Sequence, residues 1–284
     1  MDLTAQVVAA INAFLANASA QLLAPALSAL GTLLFITPAF DQIGEVEQLW
    51  SVVRDIADAL FILAIVAAGV LIMASGTFAS HYTAKLLIPR LALAAVGTNL
   101  SLAVAGALIR VENAIVVGLL GGEPSAALTG QLAAMLAGPV ADQLIGMLVA
   151  LVAAALGLLL VVLCIGRDVV LLVLTVLAPL AFATYVLPQT EELARMWWRV
   201  FVGLLFVQAV QAVVVKVGLE LLRNADWLGA PSSSLISGLL LLAVLYLVFR
   251  LPFAAYQWAF HKPLVQSAPV RTLAFAARAA LPAA

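Results

Sequence analysis

Residues 148–165 read LVALVAAALGLLLVVLCI, a stretch with no charge, amide or hydroxyl in it. As a helix, a run of this length covers most of the roughly 30 Å hydrocarbon core of a bilayer. Backbone groups inside lipid must be satisfied within the structure, so a crossing segment is either a helix or a strand of a closed barrel. A barrel strand alternates apolar and polar residues, and this run does not alternate, so it is helical. Comparable runs occur at 57–79, 86–109, 143–165, 169–187, 199–222 and 234–250. The fold class expected is therefore all-α: a polytopic helical membrane protein with about six transmembrane helices, or about seven if the N-terminal segment also spans.

The composition of the whole chain agrees. Of 284 residues, 65% are hydrophobic and only 10% charged, against about 25% charged in a typical soluble domain. A net charge of −1 gives no basic stripe of the kind general nucleic-acid binding requires. The one cysteine, Cys164, sits in an apolar run, which excludes a disulfide framework and a thiolate metal site. There is no phosphate-binding glycine loop with its lysine and no HExxH pair. His81 and His261 both fall near expected span ends and read as interfacial. Glu191 and Glu192 sit at a helix start, where the dipole accounts for them. No enzymatic activity, cofactor or metal is expected.

Three regions follow from the pattern: an uncharged amphipathic N-terminal segment (1–44), a helical bundle (45–250) and a mildly basic tail (251–284). In residues 3–40, Gln6, Asn17, Gln21, Ser28 and Thr32 fall on one stripe at about 100° per residue, while Asn12 and Ser19 fall off it. Lysine and arginine would be expected on a helix lying on anionic lipid, and the first forty residues contain neither. The same lack leaves no basic n-region for a cleavable secretory signal. Two readings stand: a surface helix covering the bundle, or a segment packed on partner chains or facing a wet lumen, with Pro25 a bend point in either. A soluble-looking connector, residues 41–55, precedes the first span and places Asp55 and Asp58 in that span's first turns. The Gly/Ala/Pro-rich stretch 111–142 reads as the longest connection, holding a short interfacial helix. With six spans, Arg54, Arg110, Arg195, Arg199, Arg250, Lys262, Arg271 and Arg278 share one side. Lys85, Arg90, Arg167 and Arg223 share the other, which puts the C-terminus in the cytoplasm.

Three groups of polar or small residues stand out. Gly97, Ser101 and Ala105 recur every fourth residue as a face that admits a close helix neighbour, with Asn99 in the same span. Gln208, Gln211, Lys216 and Glu220 are polar within one span. Such groups usually face a bundle interior, and Lys216 and Glu220 are spaced to pair. Helix-to-helix hydrogen bonding accounts for them better than an ion path, because no second buried acid completes a relay.

The third group lies in LAPLAFATYVLPQTEELARMWWRVF (177–201). Pro179 deprives the Thr175 carbonyl of its helical donor, and Pro188 ends the span at Leu187. Thr190 then caps a new helix, and Glu191, Arg195 and Arg199 follow as a charge ladder. Trp197 and Trp198, with the two arginines, form a membrane-interface anchor.

Four stretches together resemble the TrbL family, polytopic inner-membrane components of conjugative type IV secretion. They are LWSVVRDIADALFILAIVAAGVLIM (49–73), LIPRLALAAVGTNLSLAVAGALIRVENAI (87–115), GRDVVLLVLTVLAPLAFATYVLPQTEELARMWWRVF (166–201) and QAVQAVVVKVG (208–218). The third is the most specific. The resemblance implies a non-enzymatic channel or scaffold subunit present in several copies. Its implied partners are copies of itself, other secretion-system membrane subunits, separate ATPases, membrane lipids and, transiently, the transferred DNA–protein substrate. It transfers no catalytic residue. A secondary transporter or small-solute channel, and a purely structural assembly subunit, are the alternatives.

Overall fold

The computed structural model describes residues 33–74, 84–121, 144–186, 190–224 and 234–260, with isolated positions at 6, 10, 13, 14, 17, 21 and 29. Five helices account for nearly all of it: α1 (Gly44–Ala74), α2 (Ala84–Leu119), α3 (Leu144–Ala183), α4 (Glu191–Arg223) and α5 (Ser234–Phe260). A short 3-10 turn, Phe40–Gln42, leads into α1, and no strand occurs among the described residues. Ile88–Leu119, Leu148–Ala183 and Glu191–Arg223 are long and apolar enough to cross a membrane, and Gly238–Ala254 is a shorter apolar helix.

The expected pair of spans 143–165 and 169–187 is a single helix, α3, of 40 residues. At 1.5 Å per residue it is about 60 Å long, twice the hydrocarbon thickness. The chain does not turn at Arg167 because the charge is paired inside the bundle. Pro179 does not end this helix either. On the turn it disturbs, the Trp197 indole donates to the Leu174 carbonyl at 2.9 Å and the Thr175 hydroxyl donates to Leu171 at 2.8 Å. Both carbonyls keep their own helical donors as well, since the one that Pro179 deprives is Thr175's.

The expected connector at 41–55 is also helical, since α1 begins at Gly44. Its first-turn acids are Glu45 and Glu47, so Asp55 and Asp58 lie well inside the helix. The reason is apolar packing: Val46 and Trp50 are buried. Likewise α2 runs past residue 109 to Leu119, which puts Arg110 and Asn113 within it. The expected interfacial helix in 111–142 falls mostly on 122–143, outside the described residues, as do Pro188, both histidines and the tail beyond 260. Gln6, Asn17 and Gln21 are helical and exposed, while Ser28 and Thr32 are outside the described residues.

Removing one turn changes which charges share an end. Arg90 binds Glu191 at 2.6 Å, so it lies with Arg195 and Arg199 rather than opposite them. Arg110 binds Asp41 at 2.5 Å, twenty residues or about 30 Å further along α2.

Two apolar cores stack along the bundle. Around Phe40 and Val46, α2, α3 and α4 contribute Ile109, Leu171, Phe201 and Leu204. Around Leu34 and Phe35, the same helices with α5 contribute Val116, Leu160, Leu219 and Leu241. Between the two cores, the chain leading into α1 runs without regular structure from Ile36 to Ala39.

Candidate functional site

Buried backbone outside a helix carries peptide groups that need partners, and in the Ile36–Ala39 segment the buried residue is Thr37, between the exposed Ile36 and Pro38. The site is built from the side chains that supply them. Thr37 is 1% exposed. Its N–H donates to Asn113 Oδ1 at 2.9 Å, and its carbonyl accepts from Asn113 Nδ2 at 2.9 Å. One amide side chain of α2 thus stands in for a strand neighbour. The Thr37 hydroxyl donates to Gln208 Oε1 of α4 at 2.5 Å and accepts from Arg167 Nη2 of α3 at 3.3 Å. Arg167 Nη2 also reaches the Leu33 carbonyl at 3.4 Å. Three helices therefore grip one peptide segment.

Arg167, Asp168 and Glu112 supply the charge of this junction, and all are buried. Arg167 donates to Asp168 Oδ1 through Nη2 at 2.8 Å and Nε at 3.2 Å. Both Glu112 oxygens, Asp168 Oδ2, Arg167 Nη1 and Gln208 Nε2 have no hydrogen-bond partner among the described residues. Buried ionic groups are costly unless paired, so this junction holds position and keeps hydrogen-bonding capacity to spare.

Of this set the sequence marks Gln208 and Asn113 as polar groups in or near spans and Arg167 only as a charge between two spans; Thr37, Glu112 and Asp168 are not singled out by it. One signal was present. The gap 166–168 is GRD, shorter than most helix-to-helix connections, and Gly166 is its only turn former. Gln211 is buried and donates to the Val248 carbonyl at 3.2 Å, tying α4 to α5. Lys216 and Glu220 lie 3.9 Å apart and are partly exposed, toward the end of α4, where Arg223 also reaches Glu220 at 3.3 Å.

The small residues of α2 receive neighbours from within the chain. A Cβ at Gly97 would overlap the Phe182 ring. Ser101 accepts the Trp50 indole N–H at 2.9 Å, and Ala105 is buried. Gly106, which the sequence reading did not single out, has the Asp41 carboxyl where its Cβ would be. Asn99 does not join this face: it is exposed and its amide bonds the Ala95 carbonyl of its own helix at 3.0 Å.

At the start of α4, Thr190 occupies the cap position, but its hydroxyl bonds the Thr184 carbonyl at 2.6 Å and no side-chain cap forms. Glu191 is shared by Arg90 and Arg195, while Arg199 binds Glu192 at 2.8 Å. The tryptophans part company. Trp197 is buried and stacks on Phe201 with ring centroids 5.1 Å apart, so it is a core residue. Trp198 is 43% exposed.

The fold and the junction define a polytopic helical membrane protein whose long helices are fixed to the buried Thr37 of a non-helical segment by polar side chains. The chain belongs to the family described as TrbL/VirB6 plasmid conjugal transfer like protein, whose model matches residues 1–284. Membership makes it a component of a conjugal transfer system. No curated protein and no solved structure matches it significantly.

Proposed function

We propose that the chain is a non-enzymatic channel or scaffold subunit of a conjugative type IV secretion apparatus, acting in several copies in the bacterial inner membrane. The observation that supports this reading best is the family match along the whole chain. The Thr37–Asn113–Arg167–Gln208 junction fits a part that must hold a fixed shape. The partners of this reading are other membrane subunits of the apparatus and its ATPases, with transient contact to the passing DNA–protein substrate.

The end carrying Lys85, Arg90, Arg195 and Arg199 faces the cytoplasm in this proposal. It is also the end toward which α5 runs, and Arg110, Lys216 and Arg223 lie toward the other. This bias is the one the positive-inside rule describes.

A secondary transporter is the second reading, favoured by the unwound segment between the two cores, since transporter sites use broken helices. Deletion with complementation decides between them. Loss of plasmid transfer that the wild-type chain restores, together with purification in a multi-copy particle with other transfer proteins, is expected. A freely purifying monomer or dimer that moves a small solute would refute the secretion reading.

A further inference from the structure

Two apolar grooves meet at Trp198 and Arg199, which line both of them. The first, about 640 Å³, runs between α2, α3 and α4 with Leu93, Phe182 and Tyr185 in its walls. The second, about 460 Å³, runs between α4 and α5, past Val202, Gly203 and Phe206 to Val210. From Trp198 to Val210 it extends about 18 Å along the helix, close to the roughly 15 Å depth of one leaflet's hydrocarbon.

The rim where they meet is cationic. Arg90 and Arg195 share Glu191, and Arg199 pairs with Glu192. Three guanidiniums against two carboxylates leave one positive charge in excess. Arg195 presents it outward, its side chain 63% exposed against 11% for Glu191. The half-exposed Trp198 ring stands between the grooves, at the level where an amphipathic ring is favoured.

We infer that this rim is a binding site for an anionic phospholipid of the surrounding bilayer. The phosphate lies against Arg195 and Arg199, and the two acyl chains enter the grooves on either side of Trp198. Paired apolar grooves joined at a cationic rim match a two-chain anionic lipid better than a soluble anion, which would leave both grooves unfilled. Basic pockets between membrane helices are known sites for such headgroups. The inference does not depend on the proposed role in secretion.

The test uses the full chain in nanodiscs of phosphatidylcholine, with binding of added phosphatidylglycerol or cardiolipin followed by native mass spectrometry. The wild type is expected to retain the anionic lipids preferentially. Arg195→Gln with Arg199→Gln should weaken their retention by about 25-fold, roughly fivefold for each arginine. Gly203→Leu places a side chain in the second groove, where a Cβ meets nothing within 4 Å. It should weaken retention of anionic and neutral lipid alike without unfolding the protein. Equal retention of phosphatidylglycerol by wild type and double-glutamine variant would overturn the proposal. So would equally effective displacement by inorganic phosphate or a single-stranded oligonucleotide, which would mark a soluble-anion site.

Discussion

Replacing Arg167 with methionine tests the polar junction most directly. The side chain is 4% exposed and makes two hydrogen bonds to Asp168, one to Thr37 and one to the Leu33 carbonyl. Arg167→Met removes all of these and leaves Asp168 without its cation. Breaking a buried pair from one side costs about 3–5 kcal/mol. Asp168→Asn is expected to cost less, about 1–3 kcal/mol, because the amide oxygen still accepts from Arg167, which keeps its bonds to Thr37 and the Leu33 carbonyl. At about 2 °C per kcal/mol for a chain of this size, Arg167→Met should lower the thermal midpoint in detergent by roughly 6–10 °C, and Asp168→Asn by roughly 2–6 °C. Arg167→Met with Asp168→Leu should recover much of the loss, since apolar replacement of a buried pair is often close to neutral. An Arg167→Met midpoint within a degree of wild type would refute the account of the junction. So would equal damage from the two single changes. Plasmid transfer by the double variant then separates the roles, because recovered stability without recovered transfer assigns the pair to function.

Asn113→Ala unpairs both the N–H and the carbonyl of Thr37 and should cost about 2–4 kcal/mol, read as a midpoint loss. Asn99→Ala, on the exposed face of the same helix, should stay within about 0.5 kcal/mol. Trp197→Phe keeps an aromatic ring over Phe201 but strips the Leu174 carbonyl of its indole donor, for about 1–2 kcal/mol. Trp198→Phe should be nearly neutral in the same melt. Gly97→Ala pushes a methyl into the Phe182 ring and should cost about 1–3 kcal/mol by overpacking, with Phe182→Leu in the same chain restoring the midpoint. A Gly97→Ala variant as stable as wild type would show that α2 and α3 are not held at this approach.

The helical class and the positions of α2, α4 and α5 were legible in the apolar runs, because lipid leaves the backbone few ways to satisfy itself. Turns were less legible. A sequence scan treats each arginine as needing water, so Arg167 and Asp168 read as an exit from the membrane. What keeps them inside is an adjacent ion pair and a threonine 130 residues earlier, and no local window contains both. Once that turn was placed wrongly, the sides assigned to Arg90 and Arg110 shifted with it. The start of α1 failed for the opposite reason. Glu45, Glu47 and Arg54 made residues 41–55 look soluble, yet Val46 and Trp50 carry the face that packs.

The tryptophan pair shows a limit that could have been overcome from sequence alone. Adjacent residues on a helix point about 100° apart, so Trp197 and Trp198 cannot both lie flat at one interface. One of them had to turn toward the bundle. It is Trp197, whose indole donates to the Leu174 carbonyl of α3 at 2.9 Å, leaving Trp198 to face outward between the grooves. A comparable tie holds the junction. Thr37, buried and outside any helix, draws in Asn113, Arg167 and Gln208 from neighbouring helices. With Trp197, these side chains fix how α2, α3 and α4 sit together, which apolar packing alone would leave free to slide.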